Sequence, residues 1–113
     1  MSKPNIKIAR GNIYIPHETY EIYLKNIEAV ALLPHEKGIL IFPLIQQSAG
    51  GLLIKIKNLQ GDRVIHAQEF FRNNDYAETF DQAAYDAVWE TERHAILIDL
   101  SKLSAAAEDG QFI

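Results

Sequence analysis

The first residues of the chain alternate apolar and polar side chains and then change abruptly to helical spacing. The alternation predicts strands over residues 5–10 and 13–15, with Arg10-Gly11-Asn12 as the turn or bulge between them. Pro16 has no amide hydrogen to donate to a sheet, but its fixed φ suits the first turn of a helix. We therefore predict a short amphipathic helix over 17–25. The apolar positions that carry the helical spacing are Tyr20, Tyr23, Leu24 and Ile27.

A hairpin with a nearly all-apolar centre is predicted after this helix. Its strands are the runs at 29–33 and 39–45, and the turn at 34–38 contains a proline, a charge pair and a glycine. Pro43 removes one ladder hydrogen bond, so we place it at a strand edge or a bulge. Because an apolar edge strand such as 39–45 invites a second chain, we predict a homodimer.

The clearest hairpin has arms at 52–58 and 63–68 around the turn Leu59-Gln60-Gly61-Asp62. Apolar and basic residues alternate along its first arm, which is typical of a sheet with one face in water. The residues predicted to face the core are Leu52, Ile54 and Ile56, and those predicted to face solvent are Lys55 and Lys57.

The last third of the chain predicts a helix and a strand. Thr79 to Gln82 has the spacing of a capping box, and an apolar stripe follows it, so a helix is predicted over about 80–91. A strand is predicted over 94–100, and the last residues, 104–113, are predicted to form a flexible tail. The residues of the apolar stripe are Phe80, Ala84, Tyr85, Val88 and Trp89.

These elements predict an α+β fold. We expect a small, mostly antiparallel β-sheet or barrel-like domain over residues 1–103, with short helices at about 17–25 and 80–91. A chain of 113 residues, 48% apolar and 23% charged, has the size and composition of one globular domain.

Composition limits the chemistry and the compartment. The chain has no cysteine, which excludes disulfides and thiolate metal sites. The amino terminus lacks the apolar core of a signal peptide, and no apolar run approaches the ~20 residues of a membrane span. We therefore predict a soluble, cytoplasmic protein that does not contact a membrane.

The net charge of −4 conceals an asymmetry between the two parts of the chain. Residues 1–65 carry eight Lys/Arg and five Asp/Glu, whereas residues 66–113 carry three and ten. A net acidic chain disfavours binding of nucleic acid over the whole surface, but it leaves a single basic face open.

The histidines predict no catalytic or metal site. His17 and Glu21 have a two-ligand spacing on the predicted helix, but such a pair is more simply a solvated helix face. His66 and Glu69 form the one arrangement that could serve a general base, although a strand histidine bonded to a carbonyl is commoner. We predict no enzyme activity and no cofactor.

The opening motif resembles a known family. The run Gly11-Asn12-Ile13-Tyr14-Ile15-Pro16, followed by Glu18, a Tyr/Leu helix and the apolar pair around Gly38, resembles the AbrB/MraZ-like superfamily over residues 8–44. The resemblance implies a small barrel-like fold, often an intertwined dimer, in a family many of whose members bind DNA. The residue after the glycine is commonly basic in that family, and here it is Asn12.

Two functions are consistent with the sequence. The first is a non-enzymatic accessory module that self-associates and binds another protein, for which aromatic side chains would form the surface. The second is a dimeric DNA-binding transcriptional regulator whose basic side chains contact phosphates. The aromatic residues of the first hypothesis are Tyr20, Tyr23, Tyr85 and Trp89, and the basic residues of the second are Lys7, Arg10, Lys55, Lys57 and Arg63.

Overall fold

The computed structural model shows an antiparallel sheet that curves into a nearly closed barrel, with two short helices. The structure describes residues 4–45, 50–76 and 83–103. The strands are β1 (Asn5–Ala9), β2 (Asn12–Ile15), β3 (Ala29–His35), β4 (Gly38–Leu44), β5 (Leu52–Leu53), β6 (Lys55–Ile56), β7 (Arg63–His66), β8 (Ala83–Glu90) and β9 (Ala95–Leu103). The helices are α1 (His17–Tyr23) and α2 (Gln68–Asn73). The predicted fold class is confirmed at this coarse level.

The barrel is closed by one short segment of the chain. The strand order is β5-β3-β4-β9-β8-β1-β2-β7-β6, so β5 and β6 lie at opposite edges of the sheet. Only Ile54 separates these two strands in the sequence. Because β5 pairs with β3 and β6 pairs with β7, residues 52–56 join both edges.

This closure explains why the predicted arm 52–58 is not one strand. The Ile54 amide donates a hydrogen bond of 2.9 Å to the carbonyl of Glu28, while the Lys57 amide donates one of 2.8 Å to the carbonyl of Asp62. The chain therefore changes partner at Ile54. Lys55 and Lys57 are exposed, as predicted, but Ile56 is 70% exposed instead of facing the core.

The barrel interior is filled mainly by isoleucine. β-Branched side chains pack well on a pleated surface, and burying one contributes about 1.5–3 kcal/mol relative to leaving it in water. Nine isoleucines with an exposed fraction of 2% or less come from five of the strands. They are Ile6, Ile8, Ile13, Ile15, Ile39, Ile41, Ile65, Ile96 and Ile98.

β2 ends before Pro16, and beyond this point the side chain of Thr19 replaces β2 as the hydrogen-bond partner of β1. β2 ends at Ile15, and the Thr19 hydroxyl then donates to the Asn5 carbonyl (3.0 Å) and accepts from the Asn5 amide (3.3 Å). Thr19 is only 1% exposed, so these bonds replace strand pairing inside the core. The predicted helix is confirmed, although it ends at Tyr23 and is followed by the left-handed Asn26 (φ 67°).

The two helices lie at opposite ends of the barrel. β2 and β7 are antiparallel, with Asn12 opposite His66, so the helix after β2 and the helix after β7 begin at opposite ends. At the α1 end, Tyr20 and Leu24 are part of the core. At the α2 end, the Tyr76 hydroxyl donates to the Gly38 carbonyl at 2.7 Å. Tyr76 also contacts the rings of Phe70 and Phe71, which pack against the core with it.

The helix predicted over about 80–91 is wrong for residues 83–90, which form β8. These residues also alternate with a period of two: Tyr85 and Ala87 are buried, whereas Val88 between Ala87 and Trp89 is exposed. β8 is hydrogen-bonded to β1 on one side and to β9 on the other, and only a strand can bridge them. The predicted capping box 79–82 and tail 104–113 lie outside the described residues.

The apolar strand predicted over 39–45 is not an edge of the sheet. It is β4, which pairs with β3 along its length and with β9 from Gly38 to Ile41. Pro43 lies beyond the part paired with β9, which agrees with its missing amide hydrogen. An edge-to-edge dimer through this strand is therefore ruled out as a basis for the predicted self-association.

Candidate functional site

Three of the five predicted basic residues lie together on the outside of the barrel. Strand pairing places Lys7, Tyr14, Val64 and Lys55 in one row across β1, β2, β7 and β6. The Lys57 ammonium group lies 4.9 Å from the centre of the Tyr14 ring, a cation–π contact. We call Lys7, Tyr14, Lys55 and Lys57 the lysine face.

The two predicted arginines, Arg10 and Arg63, lie outside the lysine face. Arg63 alternates with Val64 and stands on the other side of β7, where its guanidinium lies 4.1 Å from the centre of the Tyr20 ring and donates to the Gly61 carbonyl. Arg10 occupies the turn between β1 and β2, with Gly11, where both residues have positive φ (53° and 75°). Such a two-residue turn suits a tight hairpin.

The predicted aromatic interaction surface is largely inside the protein. Tyr20 and Tyr85 are buried members of the core. Tyr23 and Trp89 are half-buried and stack on each other, with their ring centres 5.9 Å apart. Tyr20 and Tyr85 are therefore core residues, while contact of Tyr23 or Trp89 with a partner stays a prediction.

The outer surface opposite the lysine face is apolar. Strand pairing aligns Leu33, Leu40, Leu97 and Val88 in one row across β3, β4, β9 and β8. Leu33 and Val88, at the two ends of this row, are 50% and 54% exposed, whereas Leu97 is half-buried and Leu40 is only 4% exposed. Two further rows on the same side of the sheet join Ala31 to Phe42, and Leu53 to Ala29 and Leu44. We call the residues of these three rows the apolar face.

Polar residues surround the apolar face. His35 and Asp99 lie on the same side of β3 and β9 at one margin, on either side of Gly38, and Glu90 lies on the same side of β8 at the other. An apolar centre with a polar margin is the usual anatomy of a protein interface. A sheet surface that faced only water would instead carry polar side chains along each strand.

Asp62 connects the predicted turn 59–62 to the start of α1. Its Oδ1 accepts a hydrogen bond of 2.8 Å from the His17 amide, and its Oδ2 accepts one of 3.0 Å from the Asn58 side chain. The residue before the helix is Pro16, whose side chain cannot cap, so Asp62 satisfies this amide from another part of the chain. Gly61 has φ 90° and no room for a side chain, since an added Cβ would lie 2.6 Å from His17 Nδ1.

His66 lies on the outside of β7 and is held by a buried amide. Its Nδ1 is 3.0 Å from Oδ1 of Asn12, which also accepts a 2.9 Å hydrogen bond from Nε2 of Gln68. Asn12 is 9% exposed. His66 and Glu69, which the sequence singled out, both line one pocket of about 520 Å³ beside α2.

Two further features were sought in the described part of the chain, a group of metal-binding side chains and a membrane-spanning helix. Within residues 4–45, 50–76 and 83–103, no three histidine or acidic side chains come close enough to hold a metal ion. In the same residues no helix has the length and apolarity needed to cross a bilayer.

Comparison with known proteins gives no match: no family model, no curated protein and no solved structure is similar to this chain. The strand, proline, helix and hairpin that carry the AbrB/MraZ-like resemblance are present over residues 12–44. Because no comparison tests the relationship itself, it stays a prediction.

Sequence reasoning missed the apolar face and the Asn12 contacts. The signal for the apolar face was present, because residues 29–33 and 39–42 are apolar at every position instead of at alternate ones. Such runs indicate a strand that is apolar on both faces. The role of Asn12 had no sequence signal, since its partners His66 and Gln68 come from more than fifty positions further along the chain.

The Asp62 cap predicts a pH-dependent contribution to stability. The hydrogen bonds from Asn58 and the His17 amide lower the pKa of Asp62 below its ordinary value of 3.8. A carboxyl with a lowered pKa in the folded state stabilises the protein fully above its unfolded pKa, and this contribution is lost as the pH falls through the folded pKa. Asparagine keeps one acceptor oxygen but loses the charge and the second acceptor, so we expect Asp62→Asn to lower the free energy of unfolding by about 1 kcal/mol at neutral pH, as measured by urea denaturation.

The difference in unfolding free energy between the wild type and Asp62→Asn should shrink when the same measurement is made below pH 3.8. Glu21→Gln, at an exposed position of α1, is the matched control and should change the unfolding free energy little at either pH. A wild-type advantage over Asp62→Asn that stays constant into acid would contradict the charged cap.

Proposed function

We propose that this protein is a non-enzymatic binding module that self-associates through its apolar face. The observation that carries the proposal is the apolar row across four neighbouring strands, exposed at both ends. Exposed apolar patches of this kind, with polar residues at their margin, commonly mark protein interaction sites. The occupant that we propose is a second copy of the chain.

The form of the face suits a symmetric pair. It is a sheet surface with no charged residue in its three rows, so two copies can pack sheet against sheet about a two-fold axis without burying a charge. The polar margin would remain in contact with water. A sheet packing of this type places the two copies' lysine faces on the outside of the dimer.

The size of the face predicts a weak dimer. The nine positions of the face, on strands about 4.8 Å apart and in rows about 6.8 Å apart, cover on the order of 300 Å² per copy, and Ala29 and Leu40 among them are buried. Stable complexes bury about 1,200–2,000 Å² in total, so association should depend strongly on protein concentration. Because each copy carries a net charge of −4, added salt should screen the repulsion between copies and strengthen the dimer.

We expect Val88→Lys and Leu33→Lys each to abolish the dimer, since each places a charge on the apolar face. Both side chains are half exposed in the single chain, so the fold should tolerate the change. Sedimentation velocity of the full chain over micromolar to millimolar concentrations measures the effect. The wild type should shift from monomer to dimer across this range.

Ile56→Lys is the matched control, because Ile56 is an even more exposed strand residue that lies outside the apolar face. This variant should dimerise like the wild type. A wild-type chain that stays monomeric at the highest concentration would contradict self-association and would favour a different protein as the occupant. Equal loss of dimer in Ile56→Lys would show that the apolar face is not the contact.

A second candidate function is DNA binding, favoured by the three lysines around Tyr14. Lys7 and Lys55 lie three strands apart in one row, about 14 Å at the usual strand spacing. This separation is comparable to a few phosphates along a duplex, at about 7 Å per phosphate of one strand in space. The lysine face would therefore hold the backbone without reading its sequence.

The lysine face predicts a salt-dependent affinity for duplex DNA. Replacing Lys7, Lys55 and Lys57 together by glutamine should weaken binding and reduce the slope of log affinity against log salt by about 3, since each phosphate contact contributes about 0.9. Fluorescence anisotropy with a labelled duplex measures both quantities. Lys25→Gln, on the loop after α1, is the control and should leave them unchanged. No binding by the wild type at low salt would exclude this function.

A further inference from the structure

The pocket beside α2 has a mixed polar and apolar lining that neither proposed function uses. It lies where β7 leads into α2, and its volume is about 520 Å³. Pockets that bind small molecules typically measure about 300–1,000 Å³ and combine apolar walls with a few polar groups. Leu52 and Phe70 supply apolar surface here, while His66, Glu69 and Arg72 supply polar groups of three kinds.

The contacts of His66 determine what its free nitrogen can do. The carbonyl oxygen of Asn12 can only accept hydrogen bonds, so the Nδ1 atom 3.0 Å away must carry the hydrogen. The neutral ring then has an unprotonated Nε2, which accepts hydrogen bonds. Asn12 is buried and also accepts from Gln68, so the ring is held by a fixed group and not by solvent.

The charged groups of the pocket are left available for a ligand. Glu69 and Arg72 are three positions apart on α2, a spacing at which side chains can meet. Neither forms an ion pair with any of the residues that the structure describes, and both are exposed. The pocket therefore presents one carboxylate, one guanidinium and one imidazole acceptor beside an apolar wall, and the amide side chains of Gln68 and Asn73 complete its polar lining.

A ligand that complements this lining must carry both charges. A simple anion would be attracted by Arg72 but repelled by Glu69. A simple cation would be attracted by Glu69 but repelled by Arg72. A metal ion is not favoured, because no group of three ligands is present among the described residues. A zwitterion satisfies both charged groups at once.

We propose that this pocket binds a small apolar zwitterion of the α-amino acid class. The carboxylate of the ligand accepts hydrogen bonds from Arg72, and its ammonium group donates to Glu69 and to Nε2 of His66. The apolar side chain of the ligand packs against Leu52 and Phe70. This proposal is independent of self-association and of DNA binding, because its residues belong to neither the apolar face nor the lysine face.

Titration of the full chain by two-dimensional amide NMR tests the pocket. The probes are phenylalanine and leucine, with phenethylamine as the analogue that lacks the carboxylate and 3-phenylpropionate as the analogue that lacks the ammonium group. Phenylalanine or leucine should shift the amide signals of residues 66–73 and Leu52. Phenylalanine should bind about tenfold more tightly than either analogue, a factor expected for one charge-assisted hydrogen bond.

Two substitutions separate the two charges. Arg72→Gln should weaken phenylalanine binding about tenfold but should not weaken phenethylamine binding, since it removes a repulsion from that cation. Glu69→Gln should weaken phenylalanine similarly but should not weaken binding of the anion 3-phenylpropionate, for the same reason. Both residues are exposed, so neither change should unfold the chain. Glu21→Gln and Lys25→Gln, near the opposite end of the barrel, are the controls and should leave binding of every probe unchanged.

The proposal would be overturned by any of three results. The first is the absence of shifts at residues 66–73 with both amino acids. The second is equal affinity for phenylalanine and its single-charge analogues. The third is a pair of pocket variants that bind phenylalanine as tightly as the controls do.

Discussion

The hydrogen bonds on either side of Ile54 hold this fold together. Residues 52 and 53 complete the β3 edge, and residues 55 and 56 complete the β7 edge, so one short segment satisfies two edges that lie at opposite ends of the strand order. An open sheet of this kind would leave two rows of unpaired backbone groups. Pairing with residues 52–53 and 55–56 satisfies part of each row and helps to enclose the isoleucine core, whose contribution to stability depends on the exclusion of water.

Closure also decides which surfaces are left to interact. Once the edges are paired and the two ends are covered by α1 and α2, the remaining surface is mainly the outside of the barrel. This outside divides into the lysine face on β1, β2, β7 and β6 and the apolar face on β5, β3, β4, β9 and β8. Each of the two functions that we propose uses one of these faces. Among the described residues no three side chains that could hold a metal ion come together, and His66, which Asn12 orients, lines the pocket beside α2.

Local sequence signals predicted the elements that depend on local chemistry. Pro16 predicted the change from strand to helix, because its missing amide and fixed φ act on adjacent residues. The hairpins around Gly38 and Gly61 were predicted for the same reason. By contrast, residues 83–90 fit both a helical and a strand period, and only the need to join β1 to β9 decides between them. The change of strand partner at Ile54 could not be predicted from local sequence either, because it depends on hydrogen bonding to Glu28 and on pairing with Arg63.

The candidate sites were predictable to a different extent. Lys55 and Lys57 were correctly placed in solvent, but the same alternation wrongly placed Ile56 in the core, because the arm changes partner at Ile54 and is not one strand. Whether Lys7 joins them, and whether Arg63 turns away, depends on strand order, which the sequence pattern does not specify. A cleft that contains His66 and Glu69 was the less favoured of two interpretations of His66, and the structure places both residues in the lining of one pocket. The orientation of the His66 ring by Asn12 could not be predicted, because it depends on the pairing of β2 with β7.

Amide hydrogen exchange at Ile54 and Lys57 tests the closure most directly. If the segment joins both edges, both amides are hydrogen-bonded and should exchange slowly, with protection close to that of the central strands β4 and β9. The neighbouring turn amide of Gln60, for which the structure shows no hydrogen bond to a described residue, provides the fast-exchanging reference. Exchange of Ile54 as fast as that of Gln60, while β4 and β9 stay protected, would contradict a closed barrel.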